Sequence, residues 1–349
     1  MEELKILIFT LLGVIVLAGL SFISWKRKPK KENDAAADYA AGLNYLLEDD
    51  VTMALRKLRD TVQKDTTNID AYIKIGDILR ENGNSEQGIK IHRDLTARTT
   101  LSEVQRMQVF RSLVADYEKL ERLDLALKMI SKIWEIKPDD LWAKEKQLQI
   151  FENLGQWEDA AGAYKSLAKI KGNLNKAKLA TYKINMGKKF AANNKEKDAR
   201  LAFREAFKID KQSADAYIGL SDSYMREKRP QDALNTLKKF VQNAPDQASA
   251  AFQPIKDLLY QLGEFGEIEN IYNQVITQSP ENWEAYMHLA RLKVKKGHLD
   301  QAIDICQNVL QLNPEYAPAR EHLIRYYHRS GKDLLAVEQA IALINNRES

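Results

Sequence analysis

A repeat of about 34 residues runs through most of the chain and constrains its fold more than any other feature. A residue that is small in eight of nine cases recurs where the second helix of a helix–turn–helix pair would begin, at Ala54, Gly88, Ala126, Ala160, Ala199, Ala233, Ile268, Ala302 and Ala336. The spacings are 34, 38, 34, 39, 34, 35, 34 and 34. This period is typical of stacked helix pairs that bury their apolar faces against their neighbours. The sequence therefore predicts an all-α solenoid of about nine repeats over residues 35–349.

The turn-forming residues support this register. Glycines occupy the expected turn inside five of the repeats, at Gly83, Gly155, Gly263, Gly297 and Gly331, and prolines stop four of them, at Pro138, Pro245, Pro280 and Pro314. With only 15 Gly and 8 Pro in 349 residues, the chain has too few turn residues for a many-stranded β protein. Apolar residues make up 44%, too many for a disordered chain.

The repeat resembles the tetratricopeptide repeat family. The sixth repeat carries the pattern well, with Tyr217, Leu220, Ser221, Tyr224, Ala233, Leu237, Phe240 and Pro245. The resemblance implies a superhelix whose groove, lined by the first helix of each pair, binds other proteins. The basic residue and asparagine that hold chaperone tails in this family are replaced by Tyr39 and Leu43, which argues against that ligand. The longer spacings predict helix extensions or loops near 101–106 and 172–177, either ordinary insertions or partner-binding features.

An apolar segment at the N-terminus predicts a transmembrane anchor over residues 1–25. Leu4–Trp25 is 22 residues long and contains a single charge, Lys5; as a helix it spans roughly 33 Å, enough for a ~30 Å hydrocarbon core. A buried core helix and a cleaved signal peptide are the alternatives. The signal peptide is disfavoured because acidic residues precede the segment and Trp25 and Lys26 close it.

The residues after the anchor predict its orientation. Lys26, Arg27, Lys28, Lys30 and Lys31 lie in a basic juxtamembrane linker over residues 26–34, and Trp25 suits the headgroup interface. By the positive-inside rule, the N-terminus is expected outside and the repeats in the cytoplasm. Asn33–Asp38 is expected to be a short polar connector.

The charge balance argues against a nucleic-acid partner. The net charge of +4 comes entirely from residues 1–31, and the remaining 47 basic and 47 acidic residues cancel. The repeats therefore have no basic excess with which to neutralise phosphates.

No pattern of catalytic or metal-binding residues is found in the sequence. None of the five histidines has a metal-ligand spacing, and the glycines are isolated in turns instead of forming a phosphate loop. His92 and Cys306 are expected in the core, and one cysteine cannot form a disulfide or a Cys-based zinc site. The sequence predicts a non-enzyme without cofactor or metal.

Several segments beyond the repeat consensus resemble the lipopolysaccharide assembly protein B family. These are Asp38–Leu47, Lys64–Thr66, Gly88–Arg93 and the Gln105–Arg106 pair, and Asn44 and His92 are likewise not required by the repeat consensus. Beyond about residue 140, the similarity to this family is mainly in the spacing of the repeats. That family ends in a rubredoxin-like module with two Cys-x-x-Cys pairs, which is expected to be absent because Cys306 is the sole cysteine.

The resemblance implies a bacterial inner-membrane adaptor facing the cytoplasm. It would regulate lipopolysaccharide synthesis by presenting the lipid A pathway deacetylase to a membrane-bound ATP-dependent protease. The alternative is a scaffold or co-chaperone of another envelope complex, such as one for secretion or pilus assembly.

Counting positions within the early repeats predicts a protein-binding groove. Its residues are expected to include Tyr39, Ile73, Asp77, Arg80 and Arg111. Tyr39 would be an aromatic anchor and Arg80 a partner for a carboxylate, which are residue types typical of binding hot spots. The alternative is that Asp77 and Arg80 form a solvated i, i+3 pair with little effect.

Overall fold

A computed structural model of the chain describes residues 29–348, with side chains for residues 34–344, and this part is entirely helical. The helices are α1 (Pro29–Leu47), α2 (Val51–Lys64), α3 (Ile69–Glu81), α4 (Ser85–Thr96), α5 (Glu103–Lys119), α6 (Leu123–Ile136), α7 (Leu141–Asn153), α8 (Trp157–Lys171), α9 (Lys176–Ala192), α10 (Glu196–Ile209), α11 (Ala214–Arg226), α12 (Pro230–Asn243), α13 (Ser249–Leu262), α14 (Glu267–Gln278), α15 (Trp283–Lys295), α16 (Leu299–Leu312), α17 (Ala317–Arg329) and α18 (Asp333–Glu348). A short 3-10 turn follows α12 at Pro245–Gln247.

The predicted helical repeat is confirmed. Each odd-numbered helix is the first helix of a repeat and each even-numbered helix the second, and the nine register positions all fall near the start of an even-numbered helix and are buried. Gly88 shows why small residues are needed there, since a Cβ atom at this position would lie 2.7 Å from the carbonyl oxygen of Gly76 on α3. The absence of a side chain lets the two backbones approach closely.

The turn between the first and second helix of each repeat has a common geometry. One residue in each turn has a left-handed conformation, and these are Asp49, Gly83, Glu121, Gly155, Asn194, Lys228, Gly263, Gly297 and Gly331. Glycine adopts this conformation without steric cost, whereas the other four residues are held in it by the helices on either side. The turns that contain glycine and the turns that lack it therefore have the same backbone conformation.

The helices group into two compact units, one ending at Leu154 and the other beginning at Gly155. The N-terminal unit has a core built around Val109, Leu113, Ile130 and Ile133. The C-terminal unit contains a larger core with aromatic side chains, including the fully buried Tyr217, Phe240 and Phe252. Each unit therefore buries its own apolar residues, as expected of repeats that contact mainly their neighbours.

The two longer spacings correspond to longer first helices. Helices α5 and α9 each have 17 residues, against 13 in α3, α7, α11, α15 and α17. Of the two options that the sequence left open, the structure shows helix extension.

The predicted connector at Asn33–Asp38 is wrong, because this segment lies inside α1. Three consecutive alanines, which favour helix, and a proline at the first helical position explain the early start. Asp38 is buried and accepts hydrogen bonds from Lys57 (2.8 Å) and Lys64 on α2, which anchors α1 to its partner. These bonds, led by the one from Lys57, lower the pKa of Asp38.

The predicted anchor falls outside the described residues, together with Trp25, Lys26, Arg27 and Lys28. Lys30 and Lys31 lie in the first turn of α1. Between residues 29 and 348, the structure contains no helix with the length and apolarity needed to cross a membrane.

The repeat register predicts the effect of overpacking a helix interface. Ala233 on α12 is completely buried, so Ala233→Trp should destabilise the C-terminal unit by roughly 1–3 kcal/mol or more. Lys239→Ala, on the same helix but exposed, should change the stability by less than about 0.5 kcal/mol. Thermal and urea unfolding of both variants would check this, and equal curves would contradict the register.

Candidate functional site

The structure places three of the predicted groove residues in one polar network of the N-terminal unit. Arg80 on α3 donates from Nη1 to Asp77 Oδ1 (2.7 Å) and to Asp116 Oδ1 (3.1 Å) on α5. His92 on α4 contacts Asp116 Oδ2 through Nδ1 (2.6 Å) and the carbonyl oxygen of Ile73 through Nε2 (3.1 Å). Since a carbonyl oxygen can only accept, Nε2 carries a hydrogen and donates it.

This network is buried, so Asp77 and Arg80 are not a solvated surface pair. His92 and Asp116 are 0% exposed and the Arg80 side chain is 14% exposed. Burial opposes the charge on Arg80, but the hydrogen bonds that Arg80 donates to Asp77 and Asp116 outweigh this effect and raise the pKa of Arg80. The predicted core position of His92 is confirmed, and the network ties α3, α4 and α5 together.

The other predicted groove residues have separate partners. Arg111 on α5 donates from Nη2 to Asp140 Oδ2 (2.9 Å) and lies over the ring of Trp142. Asp140 also caps α7 by accepting from the backbone N–H of Ala143 (3.0 Å). Tyr39 on α1 packs half-buried against the core of the first two repeats, and burial, with Asp70 adding to it, raises its pKa. Ile73 is itself buried.

A cavity of about 370 Å³ lies between the first helices α9 and α11 in the C-terminal unit. Phe203 from α10 forms part of its wall because glycines face the ring on both sides: a Cβ atom at Gly187 or Gly219 would come within 2.6 or 2.5 Å of it. The charges at the rim are largely paired, Lys188 with Asp215 (3.7 Å) and Arg226 with Glu196 on α10 (2.5 Å). We name this the apolar cavity.

A second cavity, of about 170 Å³, lies between the first helices α13 and α15. It is lined by three cationic side chains, Lys256, Arg291 and Lys295, together with Gln253, Tyr260, Ile268, Tyr272, His288 and Leu292. Among the described side chains, none of the three cations forms a salt bridge, and Lys256 instead donates to Gln253 Oε1 (2.9 Å). We name this the basic cavity.

Sequence reasoning missed the basic cavity, although a signal was present. His288, Arg291 and Lys295 are spaced three and four residues apart and therefore lie on one face of α15. Applying the position count to the eighth repeat as well as to the early ones would have found them.

His288, the histidine that lines the basic cavity, is uncharged at neutral pH. Burial, followed by the charge of Arg291, lowers the pKa of His288 to about 4. Its Nδ1 lies 3.4 Å from the hydroxyl of Tyr272, and burial raises the pKa of that phenol to about 12. The positive charge of the cavity therefore comes from Lys256, Arg291 and Lys295.

The lowered pKa of His288 predicts a loss of stability in mild acid. In the unfolded chain this group titrates near its ordinary value of 6.5, so between pH 6.5 and about 4 the unfolded state binds more protons than the folded state. The free energy of unfolding should fall over this range by on the order of 1–3 kcal/mol more in the parent than in His288→Gln. Unfolding by urea at a series of pH values checks this; parallel pH dependences would contradict it.

The described residues do not fit the metal site that the family resemblance implies. A rubredoxin-like site needs two Cys-x-x-Cys pairs, whereas Cys306 is the only cysteine of the chain and is fully buried in the core, as predicted. Burial raises the pKa of its thiol to about 12, which opposes the thiolate form that metals bind. Within residues 34–344, no cluster of three or more His, Cys, Asp or Glu side chains could hold a metal ion.

Comparisons with known proteins agree with the repeat and the resemblance. A tetratricopeptide repeat family model matches residues 190–253 and 259–308, a region that contains both cavities in large part. Lipopolysaccharide assembly protein B of Escherichia coli is 22% identical over 276 residues, covering 78% of this chain and 71% of that protein. The protein of the same name from Haemophilus influenzae is 22% identical, covering 75% and 69%. The similarity to lipopolysaccharide assembly protein B is confirmed.

Among solved structures, a tetratricopeptide repeat protein from Parabacteroides merdae aligns with 83% of this chain and 98% of its own, at 10% identity and a TM-score of 0.38. The family model and the lipopolysaccharide assembly relatives together indicate a protein-binding scaffold without enzymatic activity. The chain is thus similar to tetratricopeptide-repeat proteins and to lipopolysaccharide assembly protein B.

Proposed function

We propose that the protein is an inner-membrane-tethered adaptor that regulates lipopolysaccharide synthesis by presenting a lipid A biosynthetic enzyme to a membrane protease. The observation that carries the proposal is the similarity, over 78% of the chain, to relatives named for lipopolysaccharide assembly. The segment Leu4–Trp25 supplies the tether, and the basic residues Lys26–Lys31 keep the repeats on the cytoplasmic side.

The first helices supply the binding surface for proteins. In the C-terminal unit, the apolar cavity can accept a hydrophobic side chain and the basic cavity an acidic one. Of the five groove residues predicted in the N-terminal unit, Tyr39 is the one proposed to contact a partner protein. The other four, Ile73, Asp77, Arg80 and Arg111, already make hydrogen bonds within the fold. An adaptor needs no reactive group, since its effect comes from holding two proteins near one another and raising their effective concentration.

The test of this function is the lifetime of the lipid A pathway deacetylase in cells. Removing the protein should lengthen the half-life of the deacetylase and raise the amount of lipopolysaccharide, and restoring the intact chain should reverse both. A chain without residues 1–28 should restore neither, because it lacks the tether. An unchanged half-life, together with co-purification of secretion or pilus components from detergent-solubilised membranes, would favour the alternative scaffold.

The proposed topology predicts the behaviour of reporter fusions. A phosphatase that is active only in the periplasm should be inactive when fused at Ser349. Replacing Lys26, Arg27, Lys28, Lys30 and Lys31 with glutamine should make a fraction of the fusions active, because the cytoplasmic bias of the basic residues is lost. Phosphatase activity in the unmodified fusion would contradict both the topology and the cytoplasmic adaptor.

A further inference from the structure

We propose that the basic cavity between α13 and α15 is a binding site for acidic side chains, Asp or Glu, on an extended segment of a partner protein. The proposal rests on the proposed protein-binding function and adds the chemistry of the ligand. It names a site in the seventh and eighth repeats, away from the early groove that the sequence predicted.

The charge of the cavity is uncompensated because the neighbouring acid is already engaged. Four cations lie on or just after the C-terminal half of α15, and they divide into two pairs. Lys293 and Lys296 both contact Glu269 on α14, at 2.6 and 2.5 Å. Arg291 and Lys295, four residues apart on another face of the helix, line the cavity and are exposed, with no salt bridge among the described side chains.

The third cation, Lys256, approaches from α13. Lys256 donates to Gln253, and the amide of Gln253 in turn donates to Asp257 Oδ1 (2.7 Å). The carboxylate of Asp257 is therefore linked to the charge of Lys256 only through an uncharged amide. Glu284 is the acid on α15 that acts on His288, but its influence on that ring is smaller than those of burial and of Arg291. These three cations line one cavity whose described lining contains no Asp or Glu, and this arrangement favours an anion supplied by a ligand.

The size and walls of the cavity favour a peptide side chain. At about 170 Å³ it is smaller than the roughly 300–1,000 Å³ of sites for cofactors and drug-sized ligands. Tyr260 at its edge is 53% exposed and packs edge-on against Phe265, which is 56% exposed, at a centroid distance of 5.1 Å. This aromatic pair offers an apolar contact to the residues that flank the acidic residue of the ligand. Arg291 can form a bidentate hydrogen bond with the carboxylate of that residue.

The probe for the experiment is a fluorescein-labelled pentapeptide, Glu-Leu-Glu-Leu-Glu, blocked at its C-terminus as an amide. Its binding to the full-length chain in an uncharged detergent is measured by fluorescence anisotropy. We expect saturable binding that weakens as salt is raised, and that weakens at least about tenfold for the Gln-Leu-Gln-Leu-Gln amide. Equal binding of the two amides would overturn the proposal.

Matched variants place the binding at the cavity. Arg291→Gln with Lys295→Gln should weaken binding of the Glu peptide at least about tenfold. The control, Lys293→Gln with Lys296→Gln, removes the same charge from the same part of the chain but on the face towards Glu269, and should bind nearly as the parent does. Equal losses of affinity in the two double variants would indicate general charge attraction and would overturn the proposed site. Thermal melting followed by circular dichroism shows whether each variant is folded.

Two further probes separate sources of the anion. The Gln peptide with a free C-terminal carboxylate should bind more weakly than the Glu amide, and inorganic phosphate at an equal concentration should not displace the Glu peptide. Tighter binding of the free carboxylate, or displacement by phosphate, would overturn the assignment to acidic side chains. The proposed function fails separately, if loss of the whole protein leaves the half-life of the deacetylase unchanged.

Discussion

Asp116→Ala should destabilise the N-terminal unit by roughly 3–5 kcal/mol, the range found when one partner of a buried ion pair is removed. The carboxylate of Asp116 is completely buried and accepts from Arg80 Nη1 (3.1 Å) and contacts His92 Nδ1 (2.6 Å). Its removal leaves a buried imidazole nitrogen without a partner and takes from Arg80 one of three acidic neighbours, so that Asp77 and the exposed Glu81 (3.6 Å) are left. It also leaves a space that the surrounding helices cannot readily fill.

Urea unfolding combined with hydrogen exchange of α3, α4 and α5 would measure this effect. Asp94→Ala is the matched control, because Asp94 lies two residues after His92 on α4 but is exposed. It should change the stability by less than about 0.5 kcal/mol. If both variants unfolded at the same urea concentration, the buried network would not be a main source of stability in this unit.

The same network decides how the early groove can be tested. From the sequence alone, Arg80→Glu is an attractive probe of partner binding, with no expected effect on folding. In the structure it would place a third carboxylate beside Asp77 and Asp116, in a site that is mostly buried. The substitution would then act through folding, so Tyr39→Ala is the cleaner probe of binding on this unit.

Gly76→Ala should destabilise the N-terminal unit by roughly 1–3 kcal/mol, even though alanine is the better helix former by about 1 kcal/mol. A Cβ atom at position 76 would lie 2.4 Å from Nε2 of His92 and 2.6 Å from its Cε1. The ring cannot move aside freely because its two nitrogens are held by Ile73 and Asp116. The added methyl group must therefore disrupt either the helix contact or the hydrogen bonds.

Gly162→Ala on α8 should have the opposite effect on stability from Gly76→Ala. Gly162 also lies inside a helix, but a Cβ atom there would have no neighbouring atom within 4 Å. The substitution should stabilise the chain by about 0.5–1 kcal/mol through helix propensity. Urea unfolding of the two variants is expected to shift in opposite directions, and shifts of the same sign would show that the packing against His92 tolerates a methyl group.

The helical repeat and its register could be predicted from the sequence alone. In eight of the nine repeats the second helix has a compact residue where it crosses the first, such as Ala54 or Ala233, and the spacing of these positions could be read without a structure. The lengths of α5 and α9 were also visible as longer spacings, although the choice between helix and loop was not. The connector at residues 33–38 was misjudged because polar composition was given more weight than the helix propensity of three alanines.

Which charged residues are available to a partner depends on how the helices pack, and this could not be predicted from the sequence. Arg80 and Asp116 are 36 residues apart in the chain, and His92 and Asp116 are 24 apart, so their contacts arise only when α3, α4 and α5 pack together. The four cations of the eighth repeat likewise look alike in the sequence. Only packing against α14 places Glu269 beside Lys293 and Lys296, and among the side chains that the structure describes no acid forms a salt bridge with Arg291 or Lys295. Repeat spacing depends on backbone geometry that recurs in every pair, whereas charge pairing depends on which side chains of neighbouring helices face one another.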